Sequence, residues 1–272
     1  MMRALYTGAT GMISEQTNVD TIANNLANVN TTGYKAERTE FKSLLYQTLQ
    51  SKTTTANGNP KPVGAQVGLG TRVSSNTSTY TQGSLNSTEK LTDFALDGDG
   101  FFAVRGADGQ TYYTRNGNFT WSLDANNNII LATQEGYPVL GSNGNVIQVP
   151  RQLSAEAMVF TEEGRIGYKN VNGNVTLTNQ YFGLYQFNNP AGLEKTGQSL
   201  LMQTEASGVA MSERANANLE GSKVVQGYLE GSNVSVADEM VNLIIAQRAY
   251  EMNSKVITTS DSMLETANNL KR

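Results

Sequence analysis

"VADEMVNLIIAQRAYEMNSKVITTSDSMLETANNL", residues 236–270, decides the architecture. Val236, Leu243, Tyr250, Ile257 and Leu264 recur every seventh position. Ala246 and Ala267 follow Leu243 and Leu264 by three, and Ala249, Val256, Met263 and Leu270 widen the stripe. A seven-residue apolar repeat keeps one helix face turned toward a partner. Ser235 precedes it as an N-cap with Asp238 three positions on and Glu239 beside it, close to a capping box. The spacing predicts a helix over 236–270.

The other end of the chain repeats the pattern. Leu5, Met12, Val19 and Leu26 are again spaced by seven, and Ile22 and Val29 lie three after Val19 and Leu26. This predicts a helix over 3–29, about 40 Å long at about 1.5 Å per residue. Gly8 and Gly11 weaken it but permit close backbone approach. Two long stripes at opposite ends favour pairing in a helical hairpin or coiled coil. One partner covers only one side of a stripe, so the ends suit packing among several neighbours. The first helix runs into "NNLANVNTTGYK", residues 24–35. Asn24, Asn25, Asn28, Asn30, Thr31 and Thr32 carry donors and acceptors where the helix stops, and Gly33 suits the left-handed residue of a turn. These groups are expected to hydrogen-bond within the chain and to neighbouring copies.

Between the helices the period drops to two. Runs at 102–105, 112–115 and 119–123 read as short strands separated by Asp108-Gly109 and Asn116-Gly117, which are hairpin signals. Further strands are expected near 129–132, 137–140, 145–149, 157–160, 165–168 and 181–187, with turns at Asn143-Gly144, Glu163-Gly164, Asn172-Gly173 and Asn189-Pro190. The fold class is therefore α+β: paired long N- and C-terminal helices with an inserted, mainly antiparallel β domain. The expected divisions are 1–34 plus 235–272 for the helices, 35–89 plus 206–234 for a largely extended connecting layer, and 90–205 for the β domain.

Composition removes whole classes of chemistry. The 272 residues include no histidine and no cysteine, which excludes a Ser-His-Asp triad, His-ligated zinc, disulfides and thiolate catalysis. Net charge is −4 with the 20 basic residues scattered, so no nucleic-acid footprint is visible. No stretch approaches the roughly 18 apolar residues of a membrane span. The N-terminus lacks the apolar core of a cleavable signal peptide. "LDGDGFF", residues 96–102, pairs Asp97 with Asp99 but lacks the remaining ligands of a calcium loop, and reads as a glycine turn between strands. Tyr112, Tyr113 and Trp121 could stack on carbohydrate, but their spacing fits alternation into a β core. Neither a catalytic constellation nor a cofactor or metal site is expected.

Five stretches in order carry a resemblance: "RALYTGATGM" (3–12), "NNLANVNTTGYK" (24–35), "LDGDGFFAV" (96–104), "YYTRNGNF" (112–119) and "QGYLEGSNVSVADEMVNLIIAQRAYEMNSKVITTSDSMLE" (226–265). Together they resemble the bacterial flagellar rod and hook proteins. Within that family, the length and the run "LLYQTLQ" (44–50) before "VGAQVGLGTRV" (63–73) look most like the distal-rod branch. A proximal-rod or hook paralogue is the nearest alternative, and a secreted carbohydrate-binding β protein the alternative of a different class. The resemblance implies a non-enzymatic subunit exported through the flagellar type III apparatus and assembled as a helical homopolymer. Its implied partners are other copies, the proximal-rod proteins, the hook protein and the surrounding ring proteins. Its implied place is the periplasm-spanning rod of the basal body, where the helices line a tube and the β domain faces outward. Residues 46–65 correspond to an extended stretch that would bridge neighbouring copies.

Overall fold

The computed structural model describes residues 2–50, 64–124, 127–149, 157–169, 175–216 and 219–270. Its described residues form two compact units. A helical unit takes residues from 1–27, 37–78 and 235–272, and a β unit takes 28–36 and 79–234. The chain therefore passes from one unit to the other at four places, after residues 27, 36, 78 and 234.

In the helical unit, α1 spans Met2–Ala27 and α2 spans Val236–Asn269. The Ser235 side chain caps α2, accepting from the Asp238 backbone N–H at 3.5 Å, and Asp238 and Glu239 complement the positive end of the helix dipole. The helices run antiparallel, for Gly8 lies against Ile257 and Gly11 against Asn253. A β-carbon at Gly11 would come within 2.7 Å of the Asn253 side chain, so the two glycines let the backbones close. Strand Glu37–Ser43 pairs antiparallel with Thr71–Ser78 from Glu37–Ser78 to Ser43–Thr71, with a register shift between Glu40 and Phe41. Tyr46–Gln50 pairs with Ala65–Gly68 in a second ribbon whose residues are exposed except for half-buried Gly68. Residues 51–63, the larger part of the expected bridging stretch, lie outside the described residues.

The β unit centres on a six-stranded sheet in the order Glu194–Gly197, Leu200–Met202, Thr111–Thr114, Phe101–Arg105, Leu184–Gln186, Met211–Ser212. Both of its faces are buried. Phe102 and Val104 join Phe94, Phe119, Leu131, Phe160, Ile166 and Phe182 on one side. Phe101 and Ala103 join Tyr113, Phe187, Leu193 and Leu201 on the other. That is why "FFAV" is apolar throughout instead of alternating. The larger core is knitted by edge-on and tilted ring pairs, among them Phe94–Phe160 at 4.6 Å and Phe102–Phe119 at 5.2 Å between centroids. Two three-stranded antiparallel sheets complete the unit, one from Phe119–Leu123, Ile129–Thr133 and Gln148–Val149, the other from Met158–Phe160, Arg165–Lys169 and Val175–Tyr181. Lys223–Gln226 pairs with Phe94–Asp97, and Tyr228–Glu230 with Leu85–Ser87.

Two local expectations need correction. The first helix stops at Ala27, so Val29 lies beyond it. There Thr31 donates its backbone N–H to the Asn28 carbonyl and its hydroxyl to Asn28 Oδ1, local bonds that compete with helix continuation. Asn116-Gly117 is not a hairpin turn, because the strands on either side belong to different sheets. Glycine is needed there for another reason: a β-carbon at Gly117 would overlap the Phe94 carbonyl, which accepts no side chain at that distance. The turns at Asp108-Gly109, Asn143-Gly144 and Glu163-Gly164 do carry glycine with positive φ, and Asn172-Gly173 lies outside the described residues.

Candidate assembly site

The C-terminal helix is apolar on two sides. At about 100° per residue, Leu243, Ala246, Ile257, Ser260 and Leu264 share one face. All are buried or half-buried within the helical unit. Val241, Ile245, Met252, Val256 and Met263 fall within about 60° of one another on a second face, centred roughly a third of a turn away. These five are 45–64% exposed. Of the residues expected to form the helical seam, Leu5, Met12, Val19 and Leu26 are half-buried and Ile22 is buried. Val236 and Tyr250 are exposed, each at 42%, so they do not belong to the covered face. The sequence reading took Val256 and Met263 as a widening of the heptad stripe and missed that, with Val241, Ile245 and Met252, they form a second one. The signal was present in the run "VNLIIAQ", whose consecutive apolar residues cannot all face one partner.

The polar stretch after the helix is divided between the units. In the helical unit, Asn25 is 1% exposed and works as a backbone mimic. Its Nδ2 donates to the Glu37 carbonyl at 2.8 Å and its Oδ1 accepts from the Glu37 N–H at 2.9 Å. Buried Thr21 accepts from Thr39 Oγ1 at 2.9 Å and from Asn76 Nδ2 at 3.3 Å, tying the helix to both strands of the ribbon. Asn24 and Asn30 are exposed, and Asn28, Thr31 and Thr32 are half-buried.

In the β unit, Gly33 takes φ +68° and donates its N–H to the Glu230 carbonyl at 2.8 Å. A β-carbon there would meet the Arg115 backbone at 2.8 Å. Three segments converge at this point. Ala36 donates to Asn233 Oδ1 at 2.7 Å, Thr79 donates to the Ala36 carbonyl at 2.8 Å, and Asn233 Nδ2 donates to the Thr79 carbonyl at 2.8 Å. Beneath them lies a buried ionic cluster that sequence reasoning missed. Glu230 is fully buried, and its Oε1 accepts from Lys35 Nζ at 2.6 Å and from the Gly83 N–H at 3.0 Å. Its Oε2 accepts from Arg115 at 3.3 Å. Lys35 also donates to the Thr81 carbonyl at 2.7 Å, and Arg115 to the Gly98 carbonyl at 2.7 Å. The Arg115 guanidinium lies over the Phe101 ring, 5.2 Å from its centroid. Burial holds the Lys35 ammonium below the usual lysine range, with the Glu230 carboxylate opposing that shift. Isolated Lys, Glu and Arg residues in sequence read as surface, so only the fold could bring these together.

The turn at "LDGDG" is structural: Gly98 takes φ +132° and Gly100 donates to Ser222 Oγ at 2.8 Å. Among the described residues no cluster of acidic groups could hold a metal ion, and no helix is long and apolar enough to cross a membrane. Of the aromatic residues considered for carbohydrate stacking, Tyr113 is buried, and Tyr112 and Trp121 pack partly buried against the main core. Burial, with a smaller contribution from neighbouring Tyr185, pushes the Tyr113 hydroxyl up to about 12.

The helical unit is thus built from both chain ends, with the β unit inserted between them along the chain. Three family models of flagellar rod and hook proteins match along the chain. Residues 5–35 match "Flagella basal body rod protein", residues 95–168 match "Flagellar hook protein FlgE/F/G D1 domain", and residues 225–270 match "Flagellar basal body rod FlgEFG protein C-terminal". The chain belongs to the family of flagellar basal-body rod proteins. It is 45% identical to the flagellar basal-body rod protein FlgG of Borreliella burgdorferi, with 100% of each chain covered. It is 43% identical to that of Agrobacterium fabrum, covering 96% of this chain and 97% of the relative, and 37% identical to that of Bacillus subtilis, with 100% of each covered.

Proposed function

We propose that the chain is a structural subunit of the bacterial flagellar distal rod, polymerising through its helical unit into a tube that transmits motor torque to the hook. The observation that carries this reading is the double-sided α2. One apolar face is covered by the chain itself, while Val241, Ile245, Met252, Val256 and Met263 remain open to solvent. A contiguous exposed apolar stripe on a paired helix marks a protein–protein contact, and a second copy presents the same helices. The 1–34 and 235–272 segments act as the tube-forming part, 90–205 as its outer part, and the segments between as the connecting layer. Leu5, Met12, Val19, Ile22, Leu26, Leu243, Ile257 and Leu264 hold the seam, and Asn24, Asn28, Asn30, Thr31 and Thr32 serve contacts at the helix end.

In this reading the subunit turns over no substrate and carries no cofactor. Its partners are other copies, the proximal-rod proteins, the hook protein, the ring proteins around the shaft and the type III export apparatus. It works in the periplasm-spanning part of the basal body. The purified chain, concentrated stepwise, should pass a critical concentration and yield sedimentable tubes under the electron microscope. A discrete oligomer that never elongates and binds glycans instead would overturn the proposal.

A further inference from the structure

We propose that Glu230 is the closing latch of the β unit: Lys35 and Arg115 settle together only once its carboxylate has docked between them. Lys35 and Arg115 are 4% and 3% exposed, and Glu230 is 0% exposed. Two buried cations thus share one buried carboxylate. Among the described residues, Glu230 is the acid that ion-pairs with either of them. The exposed Asp99 adds only a weaker attraction for Lys35. Without Glu230, an ammonium and a guanidinium would face each other out of water, and an uncompensated buried charge opens a structure locally.

The latch is also the last piece to arrive along the chain. Glu230 lies 195 positions after Lys35 and 115 after Arg115. Its segment is what holds the unit's first segment in place, through Gly33 N–H to the Glu230 carbonyl and Ala36 N–H to Asn233. Gly83 and Gly231 donate in the same junction, to Glu230 Oε1 and to the Ser84 carbonyl. The aromatic core around Phe94, Phe102 and Phe119 contains none of the three charged side chains, although it includes Val224, which comes shortly before Glu230 in the chain. The latch thus predicts that the junction closes after the core and opens without it, because the core's contacts are apolar and the junction's depend on the Glu230 charge. For a chain delivered N-terminus first, a consequence that rests on the export reading above, the β unit stays unlatched until nearly all of it has emerged.

The test uses the full chain, unpolymerised, so its outcome is independent of whether rods form. Pulse-labelled hydrogen exchange during refolding should protect the core amides of Ala103, Val139 and Ile147 first. The amides of Gly33, Ala36, Gly83 and Gly231 should follow in a later step. At equilibrium, Glu230→Gln, which keeps the side chain's size, should speed exchange at those four amides at least about tenfold and leave the core amides within about twofold. Adding Lys35→Met to Glu230→Gln removes one of the facing cations and should recover part of the lost protection, which a packing role would not predict. Simultaneous protection of junction and core in the wild type would overturn the latch. So would Glu230→Gln leaving the junction unchanged, or loosening core and junction alike.

Discussion

The two units solve the burial problem differently. The β unit finishes its own core, with Phe94, Phe102, Phe119, Leu131 and Ile166 all fully covered. Among the described residues of the helical unit, Ile22 and Ala246 are the buried apolar side chains, and most of the chain's exposed large hydrophobics lie there instead. A domain that covers its apolar surface can pay its ordering entropy alone; one that leaves it exposed depends on neighbours. The difference leaves one part of the molecule with a closed core and the other with open apolar surface, which the proposed assembly would cover. It also explains why the helices keep Gly8 and Gly11, which cost helix propensity but let the pair close.

Hydrogen exchange on the unpolymerised chain should separate the units most widely. Amides in α1 and α2 are expected to exchange orders of magnitude faster than those of Ala103, Val139 and Ile147, since local opening follows the density of buried contacts. Uniform protection would erase the comparison. Next in size are two substitutions on the two apolar faces of α2. Ile257→Asp places a carboxylate in the half-buried face against Gly8, at a cost of several kcal/mol; both helix pairing and polymerisation should be lost. Ile245→Lys, on the exposed face, should change monomer stability by no more than about 0.5 kcal/mol. Yet it should raise the critical concentration for polymerisation at least about tenfold. Circular dichroism and sedimentation together read both effects, and unchanged polymerisation of Ile245→Lys would remove the open face from the contact.

A smaller effect tests the self-sufficiency of the β unit by pH. The Tyr113 hydroxyl titrates near 12 in the folded chain against its ordinary value of 10.0. Between those values the unfolded chain releases this proton and the folded chain keeps it. The stabilisation is therefore complete below pH 10 and lost as pH rises toward 12. Urea midpoints of the β unit should fall across that window, and Tyr113→Phe should flatten the fall. The smallest change is expected from deleting residues 46–63. The described part of that stretch, Tyr46–Gln50, is one exposed strand of a two-stranded ribbon, and such a ribbon is marginal by itself. Tubes should still form, because both helical faces remain, but micrographs should show them more curved than the wild type. Straight, rigid tubes from the deleted chain would make the stretch a passive linker.

The sequence by itself determined the two helices and the β character of the middle. Those features rest on local periodicity and capping, which travel with the chain: Ser235 caps α2 wherever the helix packs. It also determined the exclusions that follow from having neither histidine nor cysteine. Only the tertiary structure decided which apolar face of α2 is used within the chain, because Ile257 and Ile245 are chemically alike and differ only in what lies opposite. It decided that Asn25 serves as a backbone partner for Glu37. It brought Lys35, Arg115 and Glu230 into one buried cluster across nearly the whole β unit. Pairings between residues that distant depend on sheet order and strand register, and no local pattern encodes them.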